Sequence, residues 1–217
     1  MLQPTLDGLS KFRLILASGS PRRKEILANA NLKMEIVPST FEENLDKSQF
    51  AHPSDYVKEN SKQKAIEVFN RLNSGTKCPD LVVGADTVVV LGDTILEKPK
   101  SSENAFTMLK SLGGLKHEVY SGITFLWPRK ASSDFLIKQF HECTRVEFGE
   151  LTDDVIIEYV KTGEPLDKAG GYGIQGLGGT LVKSIEGDYY NVVGFPLYSF
   201  CKELKLWYSN YSMETSS

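Results

Sequence analysis

An apolar run that ends in a Ser/Gly turn and continues as a helix constrains the fold more than any other stretch. Residues 12–17 are mostly apolar and predict a strand, and residues 21–30 predict a helix. Pro21 suits the first helical position, and Ser20 suits the N-cap. Free backbone N–H groups and the positive end of the helix dipole would then face whatever lies above the end of the strand.

The side chains of this turn favour a polyanion. Ser18 and Ser20 supply hydroxyls, and Arg22 and Arg23 supply adjacent guanidiniums, which together suit a chain of phosphates. An arginine pair on the surface beside an ordinary strand–helix turn is the alternative, and this stretch by itself does not decide between them.

Composition narrows the class of protein. The 217 residues are 41% hydrophobic and 24% charged, which fits one globular domain, and a net charge of −3 disfavours a broad nucleic-acid-binding surface. Cys78, Cys143 and Cys201 are far apart and form no CxxC pair, so neither zinc nor a disulfide framework is indicated. The sequence shows neither a signal peptide nor an apolar run of membrane-spanning length. We therefore expect a soluble cytoplasmic protein that associates with neither membranes nor nucleic acid.

Strand-like and helix-like runs alternate along the chain. Strands are predicted at 12–17, 34–38, 81–85, 87–91, 94–96, 119–126, 139–148 and 181–185, and helices at 21–30, 54–72, 103–112, 152–161 and 191–206. Gly92-Asp93 reads as the turn of a hairpin. Because both crossovers and hairpins occur, the pattern predicts an α/β domain with a mixed sheet. We assign residues 1–11 to an N-terminal extension, 12–208 to the domain and 209–217 to a flexible tail.

An aspartate interrupts the longest apolar stretch. Asp86 stands between apolar residues, where an unpaired carboxylate would be costly if buried. Gly84 is expected to let a ligand approach, and the hairpin is expected to bring Lys98 back near Asp86. A carboxylate beside a lysine would give a metal or water activator next to a phosphate-binding cation. A purely structural acceptor is the usual alternative for such an aspartate.

Two more charged candidates lie between the first strands. Glu42 and Glu43 follow the second strand, where carboxylates would help to hold a divalent cation, although a solvated acidic loop is the simpler interpretation. Lys64 shares a helical stripe with apolar residues, so it is predicted to face inward and to have an anionic partner. Lys62 is predicted to be solvated.

A glycine-rich segment at 164–176 concentrates special residues. Gly171, Gly173 and Gly176 have the spacing of the dinucleotide-binding fingerprint, but a polar loop precedes them and a strand follows, so we reject that interpretation. The segment instead predicts a loop whose backbone and Gln175 amide approach a flat base. Glu164, Asp167 and Lys168 add charge at the same mouth. His52, His117 and His141 have no ligand spacing and are interpreted as structural or surface groups.

Separated motifs in a fixed order resemble the Maf family. They are SGSPRR at 18–23, GADTVV at 84–89, EKP at 97–99, EPLDKAG at 164–170, YGIQG at 172–176 and NVVGFP at 191–196. The resemblance runs from Phe12 to Leu206, nearly the whole chain. The chain ends soon afterwards, so no further activity such as methyl transfer is expected.

The resemblance implies a nucleoside triphosphate pyrophosphatase that needs Mg²⁺ or Mn²⁺ and forms a homodimer. It implies the fold of the inosine triphosphatases, an elongated mixed β-sheet flanked by helices with a central cleft. The proposed general base of the family falls on Asp86, and the acid of its acidic loop falls on Glu43. Its phosphate-side cations fall on Arg22, Arg23, Lys64 and Lys98.

Within the family, three positions resemble the branch that acts on dTTP and UTP. They are Arg22, Thr87 and Gln175, whereas the branch that takes 7-methyl-GTP has tryptophan at the first of them. The resulting hypothesis is that the metal bridges Asp86, Glu43 and the triphosphate, and that Asp86 activates water for attack on the α-phosphorus. The alternatives are 7-methyl-GTP or inosine-type triphosphates as substrates, or a non-catalytic nucleotide-binding regulator of cell division.

Overall fold

One seven-stranded mixed sheet organises the protein in a computed structural model that describes residues 2–73, 78–129 and 134–215. The strands are β1 (Leu14–Ala17), β2 (Glu35–Ile36), β3 (Leu81–Leu91), β4 (Thr94–Leu96), β5 (Lys116–Pro128), β6 (Phe135–Phe148) and β7 (Val182–Glu186). Their order is β2–β1–β3–β5–β6–β7, with β4 also paired to β3. β1 runs parallel to β2 and β3, and all other pairs are antiparallel. The predicted mixed sheet in an α/β domain is confirmed.

Seven α-helices surround this sheet in the described residues. They are α1 (Gln3–Leu9), α2 (Pro21–Asn29), α3 (Pro53–Asn73), α4 (Ser102–Leu112), α5 (Asp153–Lys161), α6 (Tyr189–Val193) and α7 (Leu197–Thr215). Short 3₁₀ turns occupy the segment between α5 and β7. No helix in the described part of the chain is long and apolar enough to cross a membrane.

The C-terminal helix differs from the sequence prediction in two ways. The single helix predicted at 191–206 is wrong, because Gly194 adopts a left-handed φ of 116° between α6 and α7. Pro196 follows this break, directly before α7 begins at Leu197. α7 then continues to Thr215, so residues 209–215 of the predicted tail are helical. Residues 216–217 of that tail, and Met1 of the N-terminal extension, lie outside the described residues.

Two glycines bring α3 unusually close to the sheet. A Cβ on Gly84 would lie 1.9 Å from the backbone oxygen of Ser61, and one on Gly122 would lie 2.5 Å from that of Val57. The interpretation that Gly84 admits a ligand is therefore wrong, because the space above it is filled by helix backbone. This close packing sets the height of α3 over β3, and hence the position of the side chains that both elements present.

The opposite face of the sheet is covered by α2 and α7. Its core includes Phe125 from β5, Phe195 from the α6–α7 connection and Phe200 from α7, all fully buried. A second cluster lies under α4 and α5, and the buried His117 packs against its members Phe148 and Tyr172. The Nε2 atom of His117 is 2.8 Å from the hydroxyl oxygen of Tyr172. Burial lowers the pKa of His117 to about 4, so it is a neutral core residue.

Candidate active site

A pocket of about 920 Å³ opens where β1 ends and β3 passes beneath α3. Of the site residues predicted from the sequence, it is lined by Ser18, Ser20, Arg22, Arg23, Glu43, Lys64, Asp86, Thr87, Lys98, Lys168 and Gln175, but not by Glu42. The structure thus gathers residues from five separated motifs around one space, while their individual roles stay predictions.

A buried lysine lies between two carboxylates in the pocket. Lys64 Nζ, on α3, is 2.8 Å from Asp86 Oδ1 on β3 and 2.8 Å from Glu43 Oε2 in the loop after β2. The side chains of Lys64 and Asp86 are each 9% exposed, whereas that of Glu43 is 46% exposed. The predicted anionic partner of Lys64 is therefore confirmed, and there are two of them.

The two carboxyl groups titrate in opposite directions. Burial raises the pKa of Asp86, although the neighbouring ammonium of Lys64 opposes that rise. Burial acts on Glu43 in the same sense, yet Lys64, Asp86 and Lys98 together outweigh it and hold the pKa of Glu43 below its usual value. Asp86 is thus the better proton acceptor of the two, and Glu43 the more stable anion.

Asp86 and Glu43 supply carboxylate oxygens, the ligands that a hard divalent cation prefers. Both contact the same ammonium, so Lys64 Nζ occupies the point on which these oxygens converge. Mg²⁺ is typically bound by one or two carboxylates and completed by water and substrate phosphates. Within residues 2–73, 78–129 and 134–215, no group of three or more His, Cys, Asp or Glu side chains is placed to hold a metal. A cation beside Asp86 and Glu43 would take its remaining ligands from water and the substrate.

Arg23 is used up within the protein rather than presented to the pocket. Its Nε donates to the carbonyl of Gly194 at 2.9 Å, and its Nη1 donates to Ser18 Oγ at 3.0 Å and to the carbonyl of Ala85 at 2.9 Å. Its Nη2 donates to Thr87 Oγ1 at 3.1 Å. The guanidinium is buried and joins the end of β1, the middle of β3 and the α6–α7 connection. One Nη2 hydrogen is left over for a ligand.

Arg22 has a different environment, although it is the next residue. Its guanidinium lies 3.3 Å from Asp167 Oδ2 and its Nη2 donates to the Asp167 carbonyl at 3.4 Å, both long contacts with an exposed partner. An exposed ion pair of this kind contributes little to stability, so Arg22 can exchange Asp167 for a phosphate at small cost. Arg22 therefore suits the predicted anion-binding role better than Arg23 does.

The hairpin of β3 and β4 brings Lys98 to the same pocket as Asp86, as the sequence predicted. Lys98 is exposed there. The preceding residue, Glu97, accepts hydrogen bonds from the Tyr56 hydroxyl at 2.5 Å and from Lys47 Nζ at 2.6 Å. Tyr56 could not be identified from the sequence, because its hydroxyl reaches Glu97 only when α3 packs on the sheet.

The glycine-rich segment forms a tight loop around two acceptors. Glu164 accepts hydrogen bonds from the backbone N–H groups of Leu177 at 2.9 Å and Gly178 at 3.0 Å. Tyr159, on α5, donates to Glu164 Oε1 at 2.9 Å and accepts from the Gly173 N–H at 3.2 Å. The loop leaves Gln175 exposed at the lining of the pocket.

Two other predicted substrate-binding groups have partners inside the protein. Thr87 Oγ1 shares a hydrogen bond of 2.8 Å with Ser121 Oγ, in addition to its contact with Arg23. Lys168 Nζ donates to the Glu164 carbonyl at 2.7 Å and to Asp167 Oδ1 at 2.6 Å. Both line the pocket, but both help to build its walls.

Comparison with known proteins places this constellation. Residues 13–207 match the Maf-like protein family, which is most of the chain. The chain belongs to the Maf family. The family resemblance predicted from the motifs is therefore confirmed.

Members of the Maf family from distant organisms resemble this chain closely. A human protein named "Probable bifunctional dTTP/UTP pyrophosphatase/methyltransferase protein" is 50% identical over 212 residues, covering 96% of this chain and 34% of the human one. The chain thus spans about a third of that relative. A protein of Clostridium perfringens (strain SM101 / Type A) named "dTTP/UTP pyrophosphatase" is 48% identical over 193 residues, 89% of this chain and 96% of the relative. One of Clostridium tetani with the same name is 44% identical over 195 residues, with 88% and 96% covered.

Proposed function

We propose that this Maf chain hydrolyses dTTP and UTP to the nucleoside monophosphate and pyrophosphate. The observation that carries the proposal is the buried Asp86–Lys64 pair at the base of a pocket lined by further cations. A carboxylate of raised pKa beside phosphate-binding cations is the equipment that hydrolysis of a phosphoanhydride requires. Relatives of 44 to 50% identity named for this activity support the same substrate class.

Positive charge around the pocket would bind the triphosphate. Arg22 and Lys98 stand at its accessible side, and Lys64 lies deeper, so the three cations would spread along the phosphate chain. Negative charge grows on the phosphoryl oxygens in the transition state, and fixed cations stabilise it without reorganising.

Asp86 would orient the attacking water and take its proton. An ordinary aspartate is too weak a base for this at neutral pH, but burial raises the pKa of Asp86 and so improves its ability to accept a proton. Water then attacks the α-phosphorus, the bond to the bridging oxygen breaks, and pyrophosphate leaves.

Asp86 and Glu43 would hold Mg²⁺ or Mn²⁺. The cation would neutralise phosphate charge and lower the pKa of bound water. The role of the protein in this would be to hold both carboxylates at one place, which Lys64 does through its two contacts of 2.8 Å.

Gln175 would read the base. Its amide lies on the exposed side of the pocket and can donate and accept, which suits the edge of a pyrimidine. Thr87 would contribute through its backbone and through the wall that it forms with Arg23, because its hydroxyl is engaged within the protein.

The test is pyrophosphate release from dTTP, UTP, CTP, 7-methyl-GTP and ITP, with Mg²⁺, with Mn²⁺ and with a chelator. We expect metal-dependent release that is fastest with dTTP and UTP. Release led by 7-methyl-GTP or ITP would keep the chemistry and overturn the base assignment. A folded protein that binds these nucleotides without releasing pyrophosphate from any of them would overturn the enzyme and favour a nucleotide-binding regulator.

The proposal includes the wider setting implied by the family. It comprises a homodimer in the cytoplasm and a cleft of the inosine triphosphatase type, with no nucleic acid or membrane as partner. Three free cysteines are compatible with a reducing compartment. Sedimentation equilibrium of the purified chain would test the dimer.

A further inference from the structure

We propose that Glu164 and Tyr159 are positioning residues that hold the loop 173–178 in the shape that presents Gln175 to the base. The inference rests on the proposed function, since it concerns how that function selects its substrate. Neither residue needs to touch the nucleotide. Both act on it through the backbone of the loop.

Hydrogen bonds to Glu164 and Tyr159 anchor both ends of the loop. Four contacts join the two side chains to each other and to both ends of the loop: Leu177 N–H and Gly178 N–H to the Glu164 carboxylate, Gly173 N–H to the Tyr159 oxygen, and the Tyr159 hydroxyl to Glu164. The anchored residues lie on either side of Gln175. Fixing both ends of so short a loop fixes the direction in which its middle residue points.

The glycines of the loop stand where neighbouring side chains leave no room for a Cβ. A Cβ on Gly176 would lie 2.4 Å from Glu164 Oε2, and a Cβ on Gly178 would lie 2.4 Å from the Tyr159 oxygen. A Cβ on Gly173 would lie 2.5 Å from Lys168 Cε. The glycines are thus required for close approach to the loop's own anchors. From the sequence, this close approach was expected to serve a flat ligand.

Glu164 and Tyr159 have the protonation states that these hydrogen bonds require. Burial opposes ionisation of Glu164, but the N–H groups of Gly178 and Leu177, together with Tyr159 and Lys168, outweigh it and hold the pKa of that carboxyl below its usual value. Burial raises the pKa of Tyr159, so its hydroxyl keeps the proton that it donates. An anionic acceptor with two backbone donors makes the stronger class of hydrogen bond.

The consequence is a division of labour within the pocket. The cations that would bind phosphates, Arg22, Lys64 and Lys98, lie outside this loop and its anchors. Loosening the loop should therefore weaken recognition of the base and leave recognition of the phosphate chain unchanged.

The experiment compares Glu164→Gln and Tyr159→Phe with the wild-type chain, using UTP as substrate and inorganic tripolyphosphate as a competitor that lacks a base. We expect each variant to raise KM for UTP about tenfold, with kcat and the tripolyphosphate inhibition constant within about twofold of the wild type. Glu158→Gln is the matched control, because Glu158 lies on α5 beside Tyr159, is exposed and pairs with Lys161. It should match the wild type.

A double-mutant cycle identifies Gln175 as the route of the effect. In a Gln175→Ala background, Glu164→Gln should change KM by about twofold or less. Full multiplication of the two effects, or an equal loss of tripolyphosphate inhibition, would overturn the inference.

Hydrogen–deuterium exchange gives a readout that does not depend on turnover. The amides of Gly173, Leu177 and Gly178 should exchange faster in Glu164→Gln than in the wild type, and unchanged exchange would show that Glu164 does not hold the loop. A wild-type chain that releases no pyrophosphate would overturn the proposed function, and the exchange result would still decide whether the loop is held as described.

Discussion

Lys64 Nζ lies 2.8 Å from Asp86 Oδ1, and each of these side chains is 9% exposed. A buried ion pair is weak evidence for stability, because removing two charges from water costs about as much as their attraction returns. The effect of this ion pair is on the arrangement of the pocket. Lys64 keeps one deep carboxylate and one partly exposed carboxylate, Glu43, at the same place despite their mutual repulsion.

Replacement of Asp86 by Asn should abolish most turnover while preserving the fold. The amide has nearly the same shape but cannot accept a proton, so kcat for UTP should fall by about 100-fold or more. Pyrophosphate release measures it. Asp93→Asn in the turn of the same hairpin is the control and should keep full activity. Near-wild-type turnover of Asp86→Asn would refute the assignment of Asp86 as the base.

The adjacent arginines should separate stability from binding. Arg23→Gln should cost about 3 kcal/mol of unfolding free energy, because it removes donors from the buried carbonyls of Gly194 and Ala85. Arg22→Gln should change stability by about 0.5 kcal/mol or less and raise KM for UTP about tenfold. Urea unfolding and steady-state kinetics on both variants test the contrast. Equal destabilisation by the two substitutions would contradict it.

Gly84→Ala should destabilise the protein by about 3 kcal/mol, since the new methyl group would lie 1.9 Å from the backbone oxygen of Ser61 and α3 would have to shift. Gly149→Ala is the matched control, because the nearest atom to its Cβ is 4.0 Å away. It should stay within about 1 kcal/mol of the wild type. Chemical unfolding of both variants measures the difference, and similar values would show that α3 does not pack as described.

Acid should destabilise the protein through His117. Burial lowers its folded-state pKa from 6.5 to about 4, so the unfolded chain takes up the proton first as pH falls. Stability from this group is complete above pH 6.5 and is lost between there and about 4. The loss amounts to about 3 kcal/mol, at ~1.4 kcal/mol per pKa unit.

His117→Gln should remove that part of the acid sensitivity. Urea unfolding at neutral pH and near pH 4 should show a loss on acidification that is smaller in the variant than in the wild type by that amount. The same substitution at the exposed His52 is the control. An unchanged loss in His117→Gln would contradict the assignment.

Local signals predicted much of the fold. The Ser-Pro start of α2, the Gly92-Asp93 turn and the amphipathic stripe of α3 are each written in a few neighbouring residues, and the structure has all three. The prediction that Lys64 faces inward followed from that stripe. The prediction is confirmed, because α3 buries this face against β3 and β5.

Features that depend on distant partners could not be predicted in this way. α1 was missed because its fit to α7 is tertiary: a Cβ on Gly8 would lie 2.0 Å from the Tyr208 oxygen. The role of Glu164 was likewise invisible, since its partners are backbone groups that reach it only after the loop folds. Gly194 and Pro196 did carry the signal that separates α6 from α7, and the apolar pattern on both sides concealed it.

The hydrogen bond from Arg23 to Gly194 spans 171 positions of sequence, so this contact has a bearing on synthesis as well as on shape. A ribosome delivers the guanidinium long before it delivers the acceptor, and domains complete their cores only when all parts are available. Until Gly194 emerges, the nascent chain lacks one acceptor of the buried Arg23 guanidinium and part of the lining of the pocket. The pocket is therefore complete only once translation has passed Gly194.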